Sequence, residues 1–134
     1  MSATPSKKPD KPSKRQVGSR GEEHACRYLR RRGYRILHRN LRLGRAGELD
    51  IVARHRNTLA FVEVKSVIAG TDLSGFEHIT HAKQLKLIEL AQLYLQKYKS
   101  DQQAIRFDAV EVVFVDDSLK RFRITHLPDA FRPS

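Results

Sequence analysis

The sequence has a single cysteine, Cys26, no tryptophan, and no long apolar run. One cysteine excludes an internal disulfide framework, and no set of Cys and His has zinc-finger spacing. His78 and His81 stand three apart without a third ligand nearby and read as surface residues. A membrane span needs about eighteen consecutive apolar residues, and the first residues are polar, basic and proline-containing, unlike a signal peptide. The expectation is a soluble, cytoplasmic protein with no membrane partner. Aromatics are scarce, six Phe and four Tyr, mostly at core-like positions, which disfavours a single-strand binder built on base stacking. Gly44-Arg45-Ala46-Gly47 lacks the length and the Lys-Ser/Thr ending of a phosphate-binding P-loop, and no G-x-G-x-x-G follows a strand. Acidic residues are also few, 15 against 26 Lys and Arg, for a net charge of +11.

That charge is spread along the whole chain. Residues 1–20 carry +5 and the other residues +6. No basic amphipathic helix with a bulky apolar face accompanies it, so the expected polyanion is nucleic acid before a membrane surface. Residues 1–16, with Pro5, Pro9 and Pro12 among lysines and serines, read as a disordered basic tail that can add non-specific affinity for phosphates. Residues 17–134 suffice for one domain with its own core. The strongest basic block is Arg27, Arg30, Arg31, Arg32, Arg35, Arg39, Arg42 and Arg45, with no acidic residue between them. A cationic helix end accounts for Arg30 to Arg32. Arg39, Arg42 and Arg45 are better suited to holding phosphates, since the guanidinium fork donates two parallel hydrogen bonds.

Residues 47–65, GELDIVARHRNTLAFVEVK, alternate with a period of two on either side of His55-Arg56-Asn57-Thr58, which predicts a β-hairpin. A turn centred between Arg56 and Asn57 pairs residues whose numbers sum to 113. Asp50 then faces Glu63, and Glu48 faces Lys65, all on one side of the pair. Like charges directly opposite on a ladder are destabilising, and a hard divalent cation such as Mg²⁺, or Mn²⁺, is the natural counter-charge for clustered carboxylate oxygens. Charged residues also protect sheet edges, and Glu48 with Lys65 would serve there as a cross-strand ion pair.

Ser19 and Glu22 have capping-box spacing, which places the start of the first helix at Ser19 and its end at Gly33. Glu22 then has a structural role as a cap. A strand is expected around Tyr34–Leu37. Residues 79–98 form a second helix, with Ala82, Leu85, Ile88, Leu95 and Tyr98 on its apolar side and Leu87, Leu90, Ala91 and Tyr94 broadening it. Between the hairpin and this helix, SVIAGTDLSGF reads as a loop near the site. Residues 106–115 form a buried strand, 121–126 another, and Leu127 to Phe131 a short final turn. Asp108 is expected to be structural, capping or pairing with Arg106 or a first-helix arginine.

Asp50 followed by Glu63-x-Lys65 at the end of the next hydrophobic strand resembles the signature of the PD-(D/E)xK nuclease superfamily, the restriction-endonuclease-like fold that includes Holliday-junction resolvases. A narrower match runs through Gly18-x-x-Gly21-Glu22, Gly33-Tyr34-x-Ile36-Leu37-x-x-Asn40, Gly47-Glu48-Leu49-Asp50, Val62-Glu63-Val64-Lys65 and Arg106-Phe107-Asp108. These motifs, spanning about residues 16–131, are similar to those of the bacterial YraN-like family. The resemblance implies an α/β fold with an αβββαβ core, a mixed sheet flanked by helices, in agreement with the order read from periodicity. It implies a Mg²⁺- or Mn²⁺-dependent deoxyribonuclease in which Asp50, Glu63 and the Val64 carbonyl ligate metal and Glu22 or Glu48 completes the shell. Lys65 would orient the attacking water and offset charge. Arg31, Arg32, Arg39, Arg42, Arg45 and Lys83 would contact DNA. Val67 stands where the family usually carries arginine. Symmetric branched substrates call for two active sites, so a homodimer is expected. The alternative is a nucleic-acid-binding or interaction module that keeps the fold without catalysis.

Overall fold

The computed structural model describes residues 11–71, 79–98 and 104–133. In chain order they form α1 (Lys14–Arg31), β1 (Arg35–Leu43), β2 (Gly47–His55), β3 (Thr58–Ile68), α2 (His81–Tyr98), β4 (Ala104–Phe114) and β5 (Phe122–Phe131). The five strands make one mixed sheet in the order β1-β2-β3-β4-β5. All neighbours are antiparallel except β3 and β4, which run parallel with α2 as the crossover between them. The order α-β-β-β-α-β, plus one closing strand, is the expected restriction-endonuclease-like core. Among the described residues no helix is long and apolar enough to cross a membrane.

The two helices lie on opposite faces of the sheet. Val17, Ala25, Cys26 and Leu29 of α1 pack with Ile51, Ala53, Ala60, Val62, Val110, Val112 and Phe114. Leu87, Leu90, Ala91 and Tyr94 of α2 pack with Leu49, Val52, Leu59, Phe61 and Phe107. Strand residues therefore alternate between an α1 face and an α2 face, and β3 is buried on both. At about 25 cal/mol per Å² of apolar surface removed from water, this double burial is the main source of stability.

The cap of helix α1 lies six residues before the expected one. The box is Ser13 with Gln16: the Ser13 hydroxyl accepts from the Gln16 amide (3.1 Å) and Gln16 Oε1 accepts from the Ser13 amide (2.7 Å). Both serines have capping-box spacing, and the earlier one prevails because Val17, buried in the core, adds apolar burial to an extra turn. Glu22 is thus a mid-helix residue with no capping duty. Residues 14–16 of the expected tail are helical, and residues 1–10 lie outside the described residues.

The α2 stripe is also rotated from the expectation. Leu87, Leu90, Ala91 and Tyr94 are the buried positions, whereas Leu85 and Tyr98 are 53% and 38% exposed. The Thr80 hydroxyl accepts from the Lys83 amide (3.2 Å) and caps the helix. Strand β1 runs to Leu43 rather than Leu37, so Arg39 and Arg42 stand on a strand. Ser66, Val67 and Ile68 extend β3 rather than opening a loop; Ala69, Gly70 and Thr71 turn away from it, and residues 72–76 of that expected loop lie outside the described residues. Leu127 to Phe131 continue β5 instead of turning. Pro128 is tolerated because β5 is an edge strand with a register shift opposite Phe107/Ala109, where Asp129 takes a positive φ of 54°.

Two helical glycines differ in what surrounds them. A Cβ on Gly21 would stand 2.6 Å from Ser66 Cβ and closer still to its hydroxyl, while one on Gly18 would meet nothing within 4 Å. Gly21 therefore lets α1 settle against β3. Gly21→Ala is expected to cost about 1–3 kcal/mol by overpacking, and Gly18→Ala to add about 0.5–1 kcal/mol by helix propensity. Urea unfolding of both variants checks the pair, and equal shifts would refute the close approach.

Candidate active site

The hairpin register is the expected one: Ile51 pairs with Val62, Val52 with Phe61 and His55 with Thr58. The β2–β3 ladder ends at Ile51 and Val62, so Asp50 and Glu63 stand at its mouth, where the strands are no longer joined. On the other side of β2, Arg39 pairs with Ile51 and Leu41 with Leu49, which sets Asn40 across from Asp50. Asn40 has a φ of 49°, a left-handed conformation that asparagine adopts more readily than most residues. Strand alternation breaks there. Leu49 joins the α2 face and Ile51, two residues on, the α1 face. The kink frees Asp50 from regular pairing, and its Oδ2 accepts from the Val64 amide at 2.8 Å.

Glu22 approaches from α1, carried there by the tight Gly21–Ser66 contact. Its Oε1 is buried without a hydrogen-bond partner among the described residues. Burial, followed by the charge of Asp50, pushes the Glu22 carboxyl up to about 7, against opposing effects of the Asn40 side chain and Arg39. Burial and then Asp50 likewise push Glu63 up to about 7, with Lys83 pulling it down and Glu22 pushing it further up. Asp50 is raised by burial and by Glu48, while the Val64 amide and Lys83 lower it. Three carboxylates from α1, β2 and β3 thus share one desolvated region and repel one another.

Glu48 is placed differently from the expectation. It pairs with Arg42 across the β1–β2 ladder, with Arg42 Nη1 3.5 Å from Glu48 Oε1 and both side chains about half exposed. The hairpin alone suggested Lys65 as partner because β1 could not be registered from periodicity. In the β3–β4 ladder Lys65 lies level with Glu111. Among the described residues no three carboxylate, imidazole or thiol groups close into a cage around a single point. The donors still fit a hard divalent cation chemically. They are carboxylate oxygens, partly desolvated, one of them buried and unpartnered among the described residues, and burial followed by the charge of Asp50 holds Glu22 and Glu63 above the ordinary carboxylate range.

The basic residues divide. Arg39, Lys83 and, through Glu48, Arg42 are near the carboxylates. Arg45 is in the turn between β1 and β2. Arg31 and Arg32 are exposed at the far end of α1, beside Gly33, where an added Cβ would stand 3.9 Å from the His55 ring at the hairpin turn. His55 is five residues beyond Asp50, roughly 17 Å along the strand. Arg32 lies over the Tyr28 ring (4.2 Å). Val67 is level with Val113 of β4.

Asp108 is the buried carboxylate of a separate network on the α1 face, away from the cluster. Arg106 donates to both its oxygens (2.7 and 3.0 Å), His126 Nε2 lies 2.9 Å from Oδ2, the Asp129 amide donates at 3.0 Å and the Tyr34 hydroxyl at 3.3 Å. Arg106 also donates to the Tyr34 hydroxyl. Burial by itself would raise Asp108, but hydrogen bonds from His126, Arg106 and the Asp129 amide overturn it and hold the carboxyl at about 2. The pairing with Arg106 was expected. Tyr34, His126 and Asp129 were not, because they come from three separate parts of the chain. Asn40 was also missed as a site residue, although its place opposite Asp50 could have been noticed once β1 was extended.

Comparison with known proteins places the chain in a family. Residues 21–112 match the model of a family described as uncharacterised protein family UPF0102. The chain is 36% identical over 118 residues to a UPF0102 protein of Chlorobium phaeobacteroides, covering 86% of this chain and 93% of the relative. It is 42% identical over 110 residues to one from Symbiobacterium thermophilum, covering 82% and 92%. A UPF0102 protein of Persephonella marina is 40% identical over 116 residues, covering 85% and 91%. The matched region starts at Gly21, where α1 meets Ser66, and runs through both hairpin carboxylates to the buried Asp108. With the motifs and the fold in agreement, the chain belongs to the uncharacterised protein family UPF0102, the YraN family.

Proposed function

We propose that this protein is a metal-dependent endonuclease that hydrolyses phosphodiester bonds in DNA, duplex or branched. The observation that carries the proposal is the convergence of Glu22, Asp50 and Glu63, from three elements, in a region where they repel one another and where one Glu22 oxygen is buried without a partner among the described residues. Clustering like charges costs stability, so a fold that keeps them gains something else by it.

Asp50 and Glu63 would hold Mg²⁺ or Mn²⁺, with the Val64 carbonyl beside them and Glu22 or Glu48 completing the shell, directly or through water. The chemistry that a divalent ion would supply there is polarisation of the phosphate and stabilisation of the leaving oxygen. Asp50 is oriented by the Val64 amide, a support of the kind that fixes metal ligands. Lys65, two residues after Glu63 on the same face of β3, orients the attacking water and offsets charge that builds on the phosphate. Arg39, Arg42, Arg45 and Lys83 draw the DNA backbone to the site, as cations that compensate phosphate charge.

The test is cleavage of labelled linear, flapped and four-way-junction DNA with Mg²⁺, Mn²⁺ or chelator. Wild type is expected to cut, and Glu63→Ala and Asp50→Ala to bind without cutting. A second reading, a DNA-binding module without catalysis, is favoured by the carboxylates not closing into a cage among the described residues. It requires that wild type and both variants bind equally, with or without Mg²⁺, and that none cuts.

A further inference from the structure

Helix α2 covers only part of its face of the sheet. It packs on β1 and β2 and, through Tyr94 against Phe61, on β3, and among the described residues the α2-face core reaches β4 and β5 only at Phe107 and Phe131. Beyond these, the registers lay out three rows across β3, β4 and β5. Glu63 is level with Ala109 and Leu127, Lys65 with Glu111 and Thr125, and Val67 with Val113 and Arg123. The Val115 amide donates to the Arg121 carbonyl, which adds Val115 and Arg121 as a fourth row. The assignment of faces is consistent: the residues between these, Ile124 and His126, point to the α1 side, where Ile124 joins that core and His126 meets Tyr28 and Tyr34.

Among the described residues no helix lies over this part of the sheet, and its first row begins at Glu63, so it is continuous with the carboxylates. Leu127 and Val115 are 43% and 51% exposed, and Arg121, Arg123 and Thr125 are exposed beside them. Among the described residues, its charges outside the carboxylate cluster are Lys65, Arg121 and Arg123, with Lys83 at the neighbouring end of α2, against Glu111. Two strand spacings and one two-residue step separate Arg123 from Lys65, about 12 Å between Cα atoms. An arginine at that distance can hold a phosphate beyond the one being cut.

We propose that the open α2 face of β4 and β5 is the surface on which the DNA backbone lies as it enters the site, with Arg121 and Arg123 as its phosphate contacts. The proposal rests on the nuclease reading of the carboxylate cluster and adds the direction from which substrate approaches. It differs from binding by the arginine block, whose Arg31 and Arg32 are at the hairpin-turn end. Phosphate contacts position the duplex without reading sequence, and Thr125 and Leu127, between Arg123 and the carboxylate row, supply only uncharged surface. Binding on this face is accordingly expected to be indifferent to base sequence.

The experiment measures binding of a labelled DNA duplex in chelator from about 50 to about 200 mM salt, and cleavage with Mg²⁺ in parallel. It uses the full chain as wild type, as the double variant Arg121→Ala/Arg123→Ala, and as Lys97→Ala. Lys97 is an exposed cation fourteen residues beyond Lys83, roughly 21 Å along α2. Each lost phosphate contact lowers the slope of log affinity against log salt by about 0.9. The double variant is expected to lose about 2 from the slope and to raise KM with kcat little changed, while Lys97→Ala keeps the wild-type slope. Equal, small shifts in both variants would mean charge spread over the whole surface and would overturn the proposal. An unchanged double variant with wild-type cleavage would overturn this face and leave the nuclease standing. Wild type that neither binds nor cuts would remove both.

Discussion

Asp50→Asn is expected to reduce DNA cleavage by at least about 10³-fold, roughly 4 kcal/mol of transition-state stabilisation, and to make the protein more stable. The two effects have one cause. Asp50 is the group through whose charge Glu22 and Glu63 are driven up beyond the effect of burial. Asparagine removes that charge and keeps an oxygen to accept from the Val64 amide. Because one pKa unit corresponds to about 1.4 kcal/mol, the expected gain is about 1–2 kcal/mol, measured by urea unfolding at pH 8 in chelator.

The sign of the pH dependence follows from the same shifts. The Glu22 and Glu63 carboxyls sit at about 7 in the folded chain against an ordinary 4.5. The folded state therefore binds protons more tightly than the unfolded one, and stability falls as pH rises from about 4.5 to about 7. The advantage of Asp50→Asn is full above pH 7 and shrinks toward pH 5. A loss of stability at pH 8 would make Asp50 a structural acceptor for Val64 and remove the reason to regard the cluster as functional.

The largest loss of stability is expected from Asp108→Ala. Asp108 is 1% exposed and ties β4 to β5 through His126 and Asp129 and to the end of α1 through Tyr34. Truncation leaves the Arg106 charge half-buried and the His126 ring, with its side chain only 6% exposed, without an acceptor. Breaking a buried pair from one side costs about 3–5 kcal/mol, a large part of the 5–15 kcal/mol typical of a domain. Here the folded carboxyl lies at about 2 against an ordinary 3.8. Its contribution is present above pH 4 and is lost as pH falls toward 2, an acid sensitivity worth about 2 kcal/mol that Asp108→Ala should lack. Acid and urea unfolding of wild type and Asp108→Ala test both statements. An Asp108→Ala protein as stable as wild type would place the network's worth elsewhere.

These contrasts show where sequence reading succeeds. The hairpin was legible down to its register because two alternating runs flank one polar turn, and a slip of one residue would have turned Ile51, Val62 and Phe61 to the wrong faces. The element order was legible for the same reason. The start of α1 was not, since Ser13 and Ser19 offer the same local capping chemistry and only the burial of Val17 chooses between them. Nor was the α2 stripe. Its apolar residues surround more than one side of the helix, and which side is buried depends on where β1 and β2 lie. Leu127 to Phe131 looked like a turn because Pro128 and Asp129 are turn residues, whereas a bulge on an edge strand accommodates both.

By itself the sequence determined the hairpin and its alternation, the positions of Asp50 and Glu63 on its two strands, and the basic charge of the chain. All of these depend on residues near one another along the backbone, whose period and spacing leave few alternatives. Tertiary structure decided what those residues meet: Glu48 turning to Arg42, Asn40 kinking β1 opposite Asp50, Gly21 bringing Glu22 to the cluster, Asp108 gathering Tyr34, Arg106, His126 and Asp129, and α2 leaving β4 and β5 partly uncovered. Contacts between distant segments depend on the register of every strand between them and on which helix face is buried. Local periodicity carries no record of either.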